Sequence, residues 1–70
     1  MSRVIEIDTT YQGQEARLLR GAKEPVKGRL HTLLAQGWRI VPESTTHEGN
    51  ETTMGVYRKG EYVYEEDRAV

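Results

Sequence analysis

Residues 24–41 read EPVKGRLHTLLAQGWRIV, and they predict a helix that ends in a tight junction with a strand. Pro25 suits the first helical turn, because its missing N–H would have no partner within the helix. Apolar residues then recur at helical spacing and predict one buried stripe, made of Val26, Leu30, Leu33 and Leu34. Gly37 follows the stripe and favours the left-handed conformation that closes a helix.

Two residues of this stretch leave alternatives open. Gly28 lies inside the predicted helix, where glycine costs about 1 kcal/mol relative to alanine. It either weakens the helix or marks a place where another group packs close to the backbone. Trp38 follows the helix end and shares one side of an extended chain with Ile40. We expect Trp38 to fold back over the leucines as a core residue, and the alternative is that its indole stacks on a ligand.

The segment before the helix predicts two strands. In residues 3–9, Ile5 and Ile7 lie on one side of the chain and Val4 lies on the other with acidic residues, which is typical of a half-buried strand. The YQGQ sequence that follows has the composition of a turn. Residues 15–20 fit either a short strand or a helix, and we favour the strand.

The segment after the helix predicts a hairpin. Residues 38–46 form a strand that bends or bulges at Pro42, because proline cannot donate a hydrogen bond to a sheet. The HEGN sequence supplies the turn. Residues 52–59 form the returning strand, in which Gly55 indicates a close approach of the backbone, and Gly60 is expected to end it.

Together these elements predict an α+β domain, β(β)αββ, with one helix packed on a small antiparallel sheet. Residues 1–60 form the domain and residues 61–70 form an acidic C-terminal tail. The sheet face away from the helix carries Val41 and Tyr57 and has no second helix to cover it. A partner subunit is the simplest cover.

Length and composition exclude several function classes. Seventy residues make one domain with a marginal core, and domains of this size often gain stability from disulfides, metals or self-association. The chain contains no cysteine, and His31 and His47 lack the spacing of a zinc site, so we expect neither metal nor cofactor. Self-association is the remaining source of additional stability, and we therefore expect a homo-oligomer.

Other features set the cellular context and the chemistry. No apolar run reaches the roughly 20 residues that cross a bilayer, and the absence of cysteine fits a cytoplasmic protein. The formal charge of −1 argues against non-specific nucleic-acid binding. No nucleophile motif, phosphate loop or held acid–base pair is present, and His31 is the best single catalytic candidate only by default. We therefore predict that the protein is not an enzyme.

The charges are strongly polarised along the chain. Residues 17–29, hereafter the basic segment, hold five cations opposed there only by Glu24: Arg17, Arg20, Lys23, Lys27 and Arg29. The tail has the opposite sign. Three interpretations are open. The cations are a solvated face, they pair with the tail of a neighbouring subunit, or they bind a phosphate with help from the N-terminal end of the helix.

The Leu-rich helix, the Gly37–Trp38 junction and the hairpin ending in Arg58 and Lys59 resemble a small bacterial and phage domain family of unknown function. The matching residues lie within 28–59. The resemblance implies the fold and a phage or mobile-element origin, with action in the host cytoplasm. It implies no activity, so function has to be inferred from sites.

Our leading functional hypothesis is a homo-oligomeric binding protein that sequesters a phosphate-bearing small molecule such as a signalling nucleotide. In it Arg17, Arg20, Lys23 and Lys27 hold phosphate, and Trp38 or a tyrosine stacks on the base. The first alternative is an inhibitor that docks a sheet edge or the acidic tail onto a host enzyme. The second is a structural subunit without a ligand.

Overall fold

The computed structural model of the chain describes the backbone of residues 3–62 and the side chains of residues 3–60. Most of the acidic tail, residues 63–70, and the side chains of residues 61 and 62 lie outside the described part. The elements in chain order are β1 (Val4–Tyr11), β2 (Gln14–Ala22), α1 (Lys23–Ala35), β3 (Trp38–Ile40), β4 (Thr46–Glu48) and β5 (Glu51–Tyr62).

The five strands form one antiparallel sheet with one helix beside it, which confirms the α+β class. The sheet order is β1-β2-β5-β3, and β4 also pairs with β5. Residues 15–20, which fitted strand or helix, lie in β2. β2 pairs along nearly its whole length with β1 on one side and β5 on the other, so backbone pairing decides against the helix propensity of this segment.

The helix covers one face of the sheet and builds the core there. Its buried residues meet the inward side chains of β2 and β5 and Trp38 in one cluster, made of Leu19, Val26, Leu30, Leu33, Trp38, Met54 and Val56. Trp38 is buried over the leucines, so the expected core role is confirmed. Leu33 is 1% exposed but Leu34 is 39% exposed. The expected burial of Leu34 is therefore wrong, because it lies 100° further round the helix and points past the covered surface.

The first strand presents its isoleucines to the side that the helix leaves open. Val4 packs against the core cluster. Ile5 and Ile7 point to the opposite face and remain 50% and 46% exposed. Val41 and Tyr57 are half-buried. The alternation of this strand is as expected, but its half-burial is not, because no residue of β1 is buried. The hairpin with β2 places the isoleucines on the open face and the acidic residues on the helix side.

Turn glycines lie where the backbone needs them. Gln12 and Gly13 have φ of 52° and 80° and form the two-residue turn between β1 and β2. Positive φ at both positions is the geometry that fits the twist of a hairpin. Gly37, at φ 98°, ends the helix as expected. At Gly28, by contrast, an added Cβ would meet no atom within 4 Å, so no close packing requires this glycine.

The strand expected over residues 38–46 is interrupted, and β3 and β4 lie one after the other along β5. The break follows from Pro42 and from Glu43, which has a φ of 60°. Ser44 bridges the gap: its hydroxyl donates to the Val41 carbonyl at 2.7 Å and accepts from the Gly55 N–H at 3.0 Å. Gly55 is thus the point of close approach that its position in the strand indicated.

The expectation that Gly60 ends the last strand is wrong, because β5 continues to Tyr62, two residues into the predicted tail. The register between β2 and β5 shifts at this point, from Ala16 opposite Tyr57 to Gln14 opposite Tyr62. Gly60 lies at this shift with a φ of 89°, a conformation that favours glycine. Its N–H donates to the side-chain oxygen of buried Gln14 at 2.9 Å, which compensates for the interrupted ladder.

The neighbouring leucines of α1 provide a matched test of the helix orientation. Leu33→Ala should lower the free energy of unfolding by about 2–5 kcal/mol, because it opens a cavity in the core. Leu34→Ala should lower it by less than about 1 kcal/mol. Urea denaturation followed by circular dichroism measures both. Equal losses would contradict the described helix face.

Gly28 and Gly37 provide a second matched pair. Gly28→Ala should stabilise the protein by about 0.5–1 kcal/mol, since the site is open and alanine favours the helix. Gly37→Ala should destabilise it by about 1 kcal/mol, because alanine is strained at positive φ. Thermal unfolding should give opposite shifts of Tm, and a destabilising Gly28→Ala would show that another group packs against the helix at Gly28.

Candidate functional site

A cleft of about 530 Å³ lies where the start of α1 meets the turn between β4 and β5. The helix side contributes Ala22, Lys23, Glu24 and Pro25, and the hairpin side contributes His47, Gly49, Asn50 and Thr52. The two sides meet because β5 pairs with β2 through Glu51 and Ala22, and Ala22 leads directly into the helix. The cleft thus brings together two segments that are far apart in the sequence.

The helix start in this cleft has no side-chain cap. Its N-cap residue is Ala22, which carries no hydrogen-bonding side chain, and no side-chain cap hydrogen bond forms. The N–H groups of a first helical turn lack partners within the helix and carry the positive end of the helix dipole. Glu24 in the first turn offsets part of that charge. Pro25, the third residue of the helix, has no N–H, so the helical donors that remain for an anion are the N–H groups of Lys23 and Glu24.

The hairpin wall is fixed by a hydrogen bond between His47 and Thr52. The His47 Nδ1 and the Thr52 hydroxyl lie 2.9 Å apart, and Thr52 is buried. Which of the two atoms donates depends on the histidine tautomer. The contact orients an imidazole at the cleft, beside Asn50. Neither His47 nor Asn50 was expected at a site, because only the pairing of β5 with β2 brings this turn to the helix start.

The basic segment does not converge on one site. Arg17 and Arg20 lie on opposite faces of the sheet, because side chains alternate along β2. On the helix side, Arg17 donates to Glu6 at 3.0 Å. On the open side, Arg20 lies 3.5 Å from Glu51. Both arginines that were expected to hold phosphate are therefore engaged in ion pairs.

The two lysines of the basic segment lie at the helix start. Lys23 lines the cleft, and Lys27 follows one turn later on the same side of α1. Within residues 3–60 neither lysine makes an ion pair. Of the five expected binding residues, Lys23 is the one that lines the cleft, and Lys27 is its nearest neighbour along the helix face.

Trp38 lies outside the cleft and stacks with arginines. The guanidinium of Arg17 lies 4.7 Å from the ring centroid and that of Arg58 lies 5.7 Å from it. Arg58 in turn donates to Glu15 at 3.3 Å. The indole is thus enclosed by cation–π contacts and the core. The structure places it where it stabilises the sheet rather than where a base enters the cleft.

Glu6 joins β1 to the rest of the domain. Arg29 donates to it from Nε at 2.6 Å, and Arg17 donates from the neighbouring strand. The hydrogen bond from Arg29 holds the pKa of the Glu6 carboxyl below its ordinary value of 4.5, and the charges of both arginines lower it further. Partial burial opposes the effect. Two arginines of the basic segment thus serve to hold the first strand to the helix.

Residues 3–60 contain no group of three His, Asp or Glu side chains placed to hold a metal ion. In the part of the chain described here, α1 is thirteen residues long and is too short and too polar to span a membrane. Searches with protein-family models, among curated proteins and among solved structures gave no match to the chain. The resemblance of residues 28–59 to a phage domain family thus stays a prediction.

The Glu6 ion pairs predict a specific pH dependence. The pKa of Glu6 is lowered on folding, so its stabilising effect is present above pH 4.5 and is lost as the pH falls towards the folded-state pKa. Glu6→Gln should therefore reduce the free energy of unfolding at pH 7 by about 1 kcal/mol. The difference from the parent protein should shrink steadily below about pH 4.5.

Asp8→Asn is the control, because the Asp8 side chain is 91% exposed and 3.7 Å from Arg17. Its effect should stay within about 0.5 kcal/mol at all pH values. Urea denaturation between pH 3 and pH 7 measures both variants. A Glu6→Gln penalty that is the same at pH 3 and pH 7 would contradict the ionic origin of the contact.

Proposed function

We propose that this protein is a non-enzymatic, homo-oligomeric binding protein that sequesters a phosphate-bearing small molecule, such as a signalling nucleotide, in the cleft at the start of α1. The observation that supports the proposal most directly is the coincidence of three features in one cleft. An uncapped helix start, an unpaired lysine within residues 3–60 and an oriented imidazole all line it.

The phosphate end of the ligand binds to the helix start. Backbone N–H groups of the first turn donate to phosphate oxygens, and Lys23 adds a mobile positive charge. Lys27, one turn further along the same face, raises the local positive potential. Glu24 disfavours a highly charged ligand that approaches it closely, so the site favours one phosphate group at the helix start over a dense cluster of several.

The base end of the ligand binds to the hairpin wall. His47 supplies an imidazole face for stacking, and the Asn50 side chain supplies a donor and an acceptor for a polar edge. These two residues replace Trp38 in the role expected from the sequence. The volume of about 530 Å³ lies within the range of small-molecule sites, so the proposal is limited to ligands of about the size of a mononucleotide.

A thermal-shift series tests the cleft. A nucleotide at about one hundred times its Kd adds about 2.7 kcal/mol of stability. For a domain of this size that raises Tm by roughly 10 °C or more. We expect this response for at least one cyclic or linear mononucleotide and a smaller response for inorganic phosphate. Calorimetry then gives the affinity and the stoichiometry.

Matched variants locate the response. Lys23→Glu should abolish the shift, whereas Arg39→Glu should preserve it, because Arg39 is exposed on β3 and does not line the cleft. His47→Ala should weaken the nucleotide response and leave the phosphate response in place. The proposal fails if no phosphate-bearing ligand raises Tm, or if Lys23→Glu and Arg39→Glu reduce the shift equally.

A further inference from the structure

The two edges of the sheet are built differently. One edge is formed by β3 and β4, which are three residues each and are separated by the turn at Pro42 and Glu43. The other edge is β1, eight residues without interruption, with the sequence VIEIDTTY. Proteins blunt exposed edges with short strands, prolines, bulges and lysines. The β3–β4 edge has two of these features. β1 has none of the four, although it carries the charged residues Glu6 and Asp8 on the helix side, and inward charges also disfavour pairing.

The backbone of β1 leaves one set of hydrogen-bonding groups unpaired. Tyr11 and Gln14 flank the two-residue hairpin turn, so they form a hydrogen-bonded pair. Because such pairs alternate along an antiparallel ladder, the odd-numbered residues of β1 bond to β2. The N–H and C=O groups of the even-numbered residues therefore point away from the sheet, and they belong to Val4, Glu6, Asp8 and Thr10. Within residues 3–62 no further strand pairs with this edge.

The side chains beside this edge are apolar on the open face. Ile5 and Ile7 are about half exposed there, and Ile7 lies opposite Leu18 of β2, which is half-buried. An edge strand that exposes two isoleucines gains from a neighbour that covers them. The unpaired backbone and the exposed apolar side chains thus lie on the same strand.

The charges on the other side of β1 oppose pairing only weakly. Glu6 and Asp8 point to the helix side, where carboxylates meeting carboxylates would repel a second copy. Arg29 and Arg17 already neutralise Glu6, and Arg17 also lies 3.7 Å from Asp8. Two carboxylates and two guanidinium groups leave this stretch of the edge close to neutral.

We infer that β1 pairs antiparallel with β1 of a second copy of the chain, about a twofold axis at Ile7. In this register Ile7 lies opposite Ile7 of the second copy, Ile5 lies opposite Thr9, and Glu6 lies opposite Asp8. Opposed residues share a face, so both helices lie on one side of a continuous sheet. The isoleucines of both copies form one apolar strip on the other side.

The side chains favour a second copy over an unrelated strand. The backbone of this edge would match any antiparallel strand, but a twofold axis at Ile7 places the exposed isoleucines of both copies next to one another. This inference deepens the self-association in the proposed function by naming the surface, and it is independent of the ligand. The contact is small, so we expect reversible dimers whose mass depends on concentration in the micromolar range.

Two substitutions at Asp8 separate the contribution of its backbone N–H to the dimer from that of its side chain. Asp8→Pro removes an outward N–H and no bond to β2, so it should block pairing while the fold persists. Asp8→Ala removes the same side chain and keeps the N–H. In sedimentation velocity from about 1 to 200 µM, a range chosen to span weak interfaces, the parent and Asp8→Ala should approach twice the 8.0 kDa chain mass. Asp8→Pro should stay monomeric with an unchanged circular dichroism spectrum.

A second pair of substitutions tests the same interface if the Asp8→Pro variant does not fold. Ile7→Lys places two lysines opposite each other at the axis and should weaken the dimer by about tenfold or more. Ile40→Lys introduces the same charge at a half-exposed isoleucine on the opposite edge and should leave the mass unchanged.

A monomeric parent protein at every concentration would overturn the inference. So would a dimer that persists in Ile7→Lys and in folded Asp8→Pro. The nucleotide response of a monomeric Ile7→Lys variant is measured separately: if it equals that of the parent protein, the cleft functions without the dimer. If the parent protein forms dimers but no nucleotide raises its Tm, the proposed ligand is rejected and the proposed interface is not.

Discussion

One helix can cover only one face of this sheet, and the rest of the structure follows from that constraint. α1 buries Val26, Leu30 and Leu33 against the central strands β2 and β5 and against Trp38. These strands are held on both sides by other strands, so their backbones are paired and their inward side chains form the core. The outer strand β1 contributes only Val4 to the periphery of that core. It is the least supported element of the sheet, and it carries the exposed isoleucines.

The same constraint determines the use of the basic segment. Since the segment runs from β2 into α1, strand alternation sends Arg17 and Arg20 to opposite faces. Arg17 and Arg29 then neutralise Glu6 and hold β1 to the helix side. Lys23 and Lys27 are left at the helix start. Of the five cations, two therefore hold β1 in place, Arg20 forms an ion pair on the open face, and the two lysines form a small basic site at the start of the helix.

Local signals in the sequence predicted the elements well. Pro25 and the leucine spacing indicated the helix, Gly37 its end, and Gln12–Gly13 the hairpin, because each reports a backbone preference within a few residues. Pairing between distant strands set the features that were missed. The continuation of β5 past Gly60 depends on a hydrogen bond to the side chain of Gln14. The exposure of Leu34 depends on how much of the helix surface the sheet covers.

The candidate site was less predictable than the fold for the same reason. Its helix half was visible in the sequence, because Lys23 lies at a predicted helix start. Its hairpin half, with His47 and Asn50, becomes part of the site only through the register of β5 with β2 and β4. Trp38 was expected both in the core and at a ligand, and its burial beneath Arg17 and Arg58 favours the core.

Amide hydrogen exchange along β1, resolved by residue and compared at low and high protein concentration, tests most directly whether a second copy completes the sheet. At low concentration the amides of Ile5, Ile7 and Thr9 should be protected by β2, while those of Glu6 and Asp8 exchange rapidly. At high concentration Glu6 and Asp8 should become protected as well. Rapid exchange at Glu6 and Asp8 at every concentration would show that this edge stays open and would contradict the account.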